Sequence, residues 1–479
     1  NYDDKFLLTV SLRRDGSSRF GDAYEKNAFN KGRWGTFPMI AAAWKISNHS
    51  FFSNVPVISS LKLRLGWGQT GNQNIGAYRY VTSVDPSFLR YTFNLAQDSI
   101  SAGAFPFYSA NETIHWEIVE QTNIGLDAGL FNNRLLLSAE YFDKRTKEML
   151  VQIPVPYIAG IPSAGAPYQN IGKVQNKGVE LVIGYREMES QLKYNIDFNI
   201  SYLRNEVIDM GGEGKYFELG TFGDRDETFT RTEKGKPIGA FYGYKTDGLY
   251  QNWKEVNSNV NQYKAQPGDV RYVDVNRDGK ITTDDRTMIG NPHPDLIFGL
   301  NTQLFFKGFD LSLFFQGTYG NEIFFPFINW THDPSPNGRN WHRDLLNAWE
   351  APTVDEQTGE VIDPGNTDTD IPWLGVSGID NNMWSDRMVF DGSYLRLKTL
   401  EFGYSLPKNL LKLVWIDNLR IYFNSKNLFT LDNYIGFDPE IGRTHMEEQG
   451  GEARQLLYGI DYGLYPPSRA YIFGIQLGF

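Results

Sequence analysis

Apolar and polar residues alternate strictly along many short segments of this chain, and no other feature restricts its fold as strongly. In residues 194–202 every step changes polarity, and residues 61–67 behave in the same way. Successive side chains of a β-strand point to opposite faces, whereas a helix repeats about every 3.6 residues. The pattern therefore predicts an all-β fold whose strands have one apolar face.

Segments with this pattern also lie at residues 5–14, 34–46, 120–131, 134–146, 178–186, 295–306, 309–319, 394–405, 418–429 and 470–479. Asn132-Asn133 and Lys307-Gly308 predict tight hairpin turns, and residues 187–191 are also a short connection. The alternate connections are long, roughly twenty to ninety residues, at 15–33, 71–119, 147–177, 205–294, 320–393 and 430–469. Short turns on one side and long loops on the other are typical of bacterial outer-membrane barrels.

The strand directions give an approximate strand count. If successive strands run in opposite directions, the short turns and the long loops stay on their own sides only when residues 205–294 add an even number of strands. That number is either zero or two. About twelve to fourteen strands result, and in lipid their edges would need further strands to pair with. The chain enters a strand pattern soon after Asn1, without an initiator Met or a signal peptide. We therefore expect a fragment whose first strands lie upstream.

The last predicted strand ends on an aromatic residue. Tyr471, Phe473, Ile475, Leu477 and Phe479 share one face. This end resembles the C-terminal recognition strand of outer-membrane barrels. Alternation alone also fits a soluble β-sandwich, so a secreted or surface carbohydrate-binding β-protein is an alternative. An outer-membrane enzyme with a site in its loops is a third hypothesis.

The composition argues against several classes of function. A net charge of −11 without a basic stripe gives nucleic acid no electrostatic footprint, so we expect no nucleic-acid partner. No apolar run reaches the length of about eighteen residues that a membrane-spanning helix needs. The chain has no Cys, and its six His residues show no HExxH spacing. With no GxSxG nucleophile motif either, we do not expect an enzyme.

Several sequence blocks, taken together, point to one family. They are RRDGSSRFG at 13–21, RWGTFP at 33–38, LKLR at 61–64, QTGNQ at 69–73, DGSYLRLK at 391–398, GYSLP at 403–407, NLFT at 427–430 and GFDPE at 436–440. In this order they resemble the SusC/RagA-type TonB-linked outer-membrane transporters of Bacteroidetes-like bacteria.

The resemblance implies a transmembrane antiparallel β-barrel of about 22 strands with long extracellular loops and an internal plug. It implies an outer-membrane importer of oligosaccharides or peptides that works beneath a SusD-like surface lipoprotein and is energised by TonB. The plug domain and the TonB-contacting segment have no counterpart in the chain. Residues 1–479 are therefore expected to be the C-terminal part of the barrel, with the plug and first strands upstream.

An acidic segment between the predicted strands has the spacing of a calcium loop. Its proposed ligands are the side chains of Asp274, Asn276, Asp278 and Asp285 and the carbonyl of Lys280, with Gly279 at the turn. Hard cations such as Ca²⁺ prefer oxygen ligands, and a tight glycine turn lets these groups converge. The alternative is a set of Asx turns in which the carboxylates accept hydrogen bonds from their own backbone.

Five tryptophans lie in one predicted extracellular loop, at Trp330, Trp341, Trp349, Trp373 and Trp384. Indole rings stack well on sugars and on peptide side chains. Trp330, Trp341, Trp373 and Trp384 are therefore predicted as substrate-contacting residues. The alternative, which we favour, is that so long a loop needs its own small apolar core and that tryptophan supplies it.

Overall fold

The fold is taken from a computed structural model of the chain. The residues it describes are 1–27, 29–52, 55–85, 90–91, 101–103, 105–152, 158, 167–211, 216–222, 227–259, 262, 264–332, 340–375, 380–411, 416–442 and 457–479. Twelve long strands form one sheet. They are β1 Phe6–Gly16, β2 Trp34–Lys45, β3 Ile58–Asn72, β4 Glu117–Leu130, β5 Leu135–Lys147, β6 Lys173–Glu187, β7 Leu192–Asp209, β8 Leu296–Phe306, β9 Phe309–Tyr319, β10 Tyr394–Ser405, β11 Asn418–Asp432 and β12 Ala470–Gly478.

Each strand of this sheet pairs antiparallel with its neighbour in chain order, so the whole sheet is a meander. All of the predicted strands are confirmed. Several run further than the alternation indicated: β6 begins at Lys173 and β7 continues to Asp209. The alternation is clear only where one face is apolar, and these extensions have mixed polar faces.

Tight turns join strands at one end of the sheet. Asn132 and Asn133 have φ values of 57° and 61°, and Lys307 and Gly308 have φ values of 48° and 89°. Two successive residues with positive φ are the mark of hairpin turns whose twist matches that of the strands, and asparagine and glycine adopt them at low cost. Both predicted hairpin turns are confirmed.

The long connections leave the opposite end and contain short elements of their own. Short strands lie at Ser83–Asp85, Arg90–Tyr91, Ser101–Ala102, Phe105–Tyr108, Leu150–Gln152, Tyr168–Asn170, Tyr216–Leu219, Thr230–Glu233, Ala240–Gly243, Thr246–Leu249, Val270–Tyr272, Thr287–Gly290, Glu322–Phe324, Thr353–Val354, Val361–Asp363 and Val389–Asp391. In these connections, short α-helices occupy Trp253–Ser258 and Ile328–Thr331, and 3-10 turns occupy Thr283–Asp285, Arg343–Asn347 and Asp386–Met388. At the end with the tight turns, 3-10 turns occupy Ile46–Asn48 and Ser50–Phe52, and a short α-helix occupies Lys408–Leu411. The short strands between β7 and β8 form separate small sheets.

The two faces of the large sheet differ in chemistry. Across nine strands the residues that pair directly form an apolar row: Leu8, Ala42, Leu65, Ile124, Tyr141, Val179, Tyr202, Leu296 and Tyr319. Leu65 is 48% exposed and Ile124 is 47% exposed, although both lie in the middle of the sheet. We call this side the apolar face and the opposite side the polar face. An exposed apolar face of this width marks a surface that contacts a membrane or another protein.

No helix in the described part of the chain is long and apolar enough to cross a membrane.

Candidate functional site

Charged side chains on the polar face form ion pairs that cross three strands. Arg64 on β3 donates through Nε to Asp127 on β4 at 2.8 Å and through Nη1 to Glu140 on β5 at 2.6 Å. Gly125 lies between them in register, and a Cβ atom there would be 2.8 Å from Arg64 Nη2. A glycine on the middle strand therefore leaves room for the arginine to reach the third strand.

The same arrangement recurs on the polar face near the other edge of the sheet. Arg420 on β11 donates to Glu401 on β10 at 2.6 Å and, through Nε, to Asp310 on β9 at 3.0 Å. Gly403 lies beneath the guanidinium, where a Cβ atom would be 2.6 Å from Nε. Placing such ion pairs against lipid would carry a desolvation cost that water or polar groups remove. The polar face therefore suits the interior of a channel and the apolar face suits lipid.

Above the sheet, the connections after β7, β9 and β11 fold together into a compact layer, which we call the loop cluster. Its largest core contains buried residues from all three connections: Phe222, Phe229, Phe241, Phe324, Trp384, Met388, Leu457 and Ile460. The rings of Phe229 and Phe324 stack with centroids 4.8 Å apart. The loops are therefore held by an aromatic core of their own.

Two of the four tryptophans predicted to contact substrate lie in or beside this core. Trp384 is fully buried and donates through Nε1 to the carbonyl of Glu227 at 2.9 Å. Trp330 packs against the core, with its ring 4.4 Å from that of Phe222. Both indoles pack in the loop core, and their predicted contact with substrate stays a prediction.

Trp349 and Trp373 belong to a second core in the loop cluster, with Tyr244, Leu249, Val270 and Tyr272. Trp373 donates through Nε1 to the buried carboxylate of Asp269 at 2.8 Å. Gly268 has a φ of 88°, and a Cβ atom there would be 2.4 Å from the Trp349 ring. Trp341 differs from the other four because its side chain is 53% exposed.

The predicted calcium loop, residues 274–285, is closed by its own backbone. Asp274 accepts hydrogen bonds from the amides of Arg277 at 2.6 Å and Gly279 at 2.9 Å. Asp285 is fully buried and accepts from the amides of Val275 at 2.9 Å and Thr282 at 2.8 Å.

The other predicted ligands continue this pattern. Asn276 Oδ1 accepts from the amide of Asp278, whose own Oδ1 accepts from the amide of Lys280, each at 2.9 Å. Asp274, Asp278 and Asp285 do not form a group in which one oxygen from each lies within 4.8 Å of the others. The geometry is that of linked Asx turns, and a calcium ion would have to draw these oxygens together.

A buried arginine joins the sheet to the last long connection, and sequence reasoning assigned it no role. Arg396, which is 1% exposed, donates to both oxygens of Asp438 at 2.7 and 2.6 Å and to Glu440 at 2.7 Å. Lys398 binds Glu440 from the more exposed side at 2.6 Å. The DGSYLRLK and GFDPE blocks therefore contact each other. The signal that could have found this contact is a charged residue at a position where the strand becomes buried.

Comparisons with known proteins agree with this architecture. Residues 1–286 match the family described as TonB dependent receptor-like, beta-barrel. A TonB-dependent receptor of Formosa agariphila is 33% identical over 485 residues, covering 100% of this chain and 44% of the relative. The TonB-dependent receptor SusC of Bacteroides thetaiotaomicron is 29% identical, covering 99% of this chain and 42% of the relative.

A solved structure shares the same fold. The RagAB peptide transporter superposes with a TM-score of 0.77 at 26% identity, covering 100% of this chain and 46% of that chain. The present chain thus spans less than half the length of these relatives. Its meander of long strands, apolar face and matched sequence place it in one group: the chain belongs to the TonB-dependent receptor-like β-barrel family and is of the SusC/RagA type.

Proposed function

We propose that this chain forms part of the wall and much of the outer surface of an outer-membrane importer for oligosaccharides or peptides. The observation that carries the proposal is that one face of the sheet has an uninterrupted apolar row and the other face has ion pairs. In a barrel, the first face meets lipid and the second lines the interior. The relatives are receptors and a transporter, which favours import over catalysis.

The energy source and the partner are further parts of the proposal. The relatives are more than twice as long as this chain, which leaves ample length for a plug and a TonB-contacting segment upstream. β1 and β12 form the two edges of the sheet, and in lipid each edge needs a partner strand. The loop cluster presents a broad folded surface on which a SusD-like lipoprotein would sit and retain substrate.

Purification from native outer membranes tests the proposal. We expect extraction only with detergent, heat-modifiable migration on a gel and copurification of a surface lipoprotein. Deleting the gene should abolish growth on one oligosaccharide or peptide source, and deleting TonB should have the same effect. A protein that is soluble without detergent and binds carbohydrate alone would instead favour the alternative, a secreted or surface carbohydrate-binding β-protein. Hydrolysis of substrate by the purified protein would favour an enzyme.

Calcium binding by residues 274–285 also remains a proposal. It is supported by the oxygen-rich spacing around Gly279, whose φ of 86° provides the required tight turn. Calorimetric titration of the purified protein with calcium should detect a site that Asp274→Ala weakens and that Asp284→Ala, outside the proposed ligand set, leaves intact. Equal heats for both variants and the parent protein would exclude this site.

A further inference from the structure

We propose that His332, His342 and Asp344 form a binding site for a divalent transition-metal ion such as Zn²⁺ on the loop cluster. Each side chain offers one ligand atom, and these atoms lie within 4.8 Å of one another. No other group of three histidine or acidic residues in the described ranges meets this criterion. The site is independent of the proposed import function.

The three residues are held by structured backbone. His332 ends the helix Ile328–Thr331, and its amide donates to the carbonyl of Ile328 at 2.8 Å. His342 precedes the 3-10 turn Arg343–Asn347, and its amide donates to the carbonyl of Thr331 at 2.9 Å. The two imidazole rings lie face to face with centroids 5.1 Å apart. The ligands therefore lie side by side before any ion binds, which lowers the cost of ordering them.

The Thr331 hydroxyl lies beside one ring nitrogen of His332 and can orient the imidazole. The Thr331 hydroxyl donates its only proton to the carbonyl of Phe327 at 3.2 Å. With that proton engaged, the tautomer of His332 that carries its proton on Nδ1 donates to the same hydroxyl, 2.9 Å away. A neutral imidazole with its proton on Nδ1 has a lone pair on Nε2. A hydrogen bond to the second ring nitrogen is the usual way in which proteins orient a metal-binding histidine.

The spacing of the other two ligands fits a tetrahedral ion. His342 Nδ1 and Asp344 Oδ2 are 3.3 Å apart. A tetrahedron with bonds of about 2.0 Å, the length found for zinc with nitrogen and oxygen ligands, has edges of about 3.3 Å. The amide of Asp344 is 3.4 Å from the same nitrogen, a long and weak hydrogen bond that an ion would replace.

The ligand set selects the class of ion. Two imidazoles and one carboxylate suit zinc and its neighbours, whereas calcium prefers oxygen ligands alone. His342 and Asp344 are exposed, so water can fill the fourth position. Two further charged groups, Arg387 and Asp370, act on His332, and their charges are opposite.

Calorimetric titration of the intact, detergent-purified protein with zinc chloride after chelation tests the proposal. We expect one site per molecule. His342→Ala and Asp344→Asn, both at exposed positions, should each weaken zinc binding by at least about tenfold. His49→Gln, at the opposite end of the sheet, should leave it unchanged. Millimolar calcium should not displace the zinc.

Thr331→Val provides a second variant, because it keeps the shape of the side chain and removes only the hydroxyl that orients His332. It should weaken zinc binding by about 10- to 100-fold. Heat-modifiable migration on a gel confirms that each variant is folded. No zinc binding by the parent protein, or equal binding by the His342→Ala and Asp344→Asn variants, would overturn the proposal. Neither result depends on whether the protein imports a nutrient.

Discussion

The large sheet and the loop cluster use the same types of residue in opposite ways. In the sheet, Leu65 and Ile124 point outward at 48% and 47% exposure, while Arg64 and Glu140 form ion pairs on the other face. In the loop cluster, Trp384 is fully buried. The difference reflects two solvents. The loop cluster buries apolar groups as water-soluble proteins do, whereas the sheet exposes them as proteins in lipid do.

Because the two regions are stabilised by different environments, damage to one should leave the other largely intact. Hydrogen exchange of backbone amides reports the opening free energy of each region separately. Heat-modifiable migration reports the sheet alone. These two measurements are the basis for testing the comparison.

The largest effect is expected from Trp384→Ala in the core of the loop cluster. Loss of a buried tryptophan costs about 3–5 kcal/mol, and the bond from its Nε1 to the Glu227 carbonyl is lost as well. Amides of the loop cluster should exchange faster, while migration on a gel stays unchanged. Trp253→Ala, at an exposed position in another connection of the loop cluster, is the control. If Trp384→Ala abolishes the heat-modifiable shift, the two regions are not independent.

A second prediction concerns the junction between the regions. Arg396→Met leaves Asp438 and Glu440 without their buried partner, which should cost about 3–5 kcal/mol of local stability. Lys398→Met is a matched control, since Lys398 binds the same Glu440 from a more exposed position and should cost about 1 kcal/mol or less. Hydrogen exchange of residues 433–442 should separate the two variants. Similar exchange rates would show that burial of Arg396 does not matter.

The third prediction concerns the sheet. Ile124→Arg places a charge on the apolar face, which should cost about 2–4 kcal/mol if the residue lies near the middle of the bilayer. The amount of folded protein in outer membranes should fall. Asn123→Arg is the control, because the adjacent residue lies on the polar face and contacts Glu140. Equal loss for both variants would contradict the assignment of the two faces.

The sheet could be predicted from the sequence because the alternation of apolar and polar residues is a local pattern. Strand direction and face follow from a repeat of two residues, so the twelve strands and both hairpin turns could be predicted. The short strands of the loop cluster could not be predicted in this way. Its short strands, such as Ala240–Gly243, are buried throughout and show no alternation.

The candidate sites were less predictable because they depend on contacts between distant parts of the chain. Arg396 and Asp438 are separated by 42 positions. His332 and His342 lie in segments that a backbone hydrogen bond joins, which no sequence pattern indicates. The tryptophan pattern marked a loop that has its own core, but a single sequence does not distinguish a core indole from a substrate-binding one. The structure adds their exposure: Trp384 is buried and Trp341 is open to solvent.

The smallest effect on stability is expected from Trp341→Ala, and this variant tests the comparison from the functional side. An exposed side chain without a buried role changes stability by less than about 0.5 kcal/mol, so hydrogen exchange and gel migration should match those of the parent protein. If Trp341 contacts substrate, its removal should weaken binding of the transported oligosaccharide or peptide, since stacking on an indole contributes about 0.5–1.5 kcal/mol. Trp253→Ala, an exposed tryptophan in another connection, controls for the loss of an exposed indole elsewhere. If Trp341→Ala binds substrate with the affinity of the parent protein, the exposed tryptophan of the predicted substrate site has no role in binding. If only Trp341→Ala loses substrate binding, the buried indoles of the loop cluster stabilise the fold and the exposed indole binds substrate.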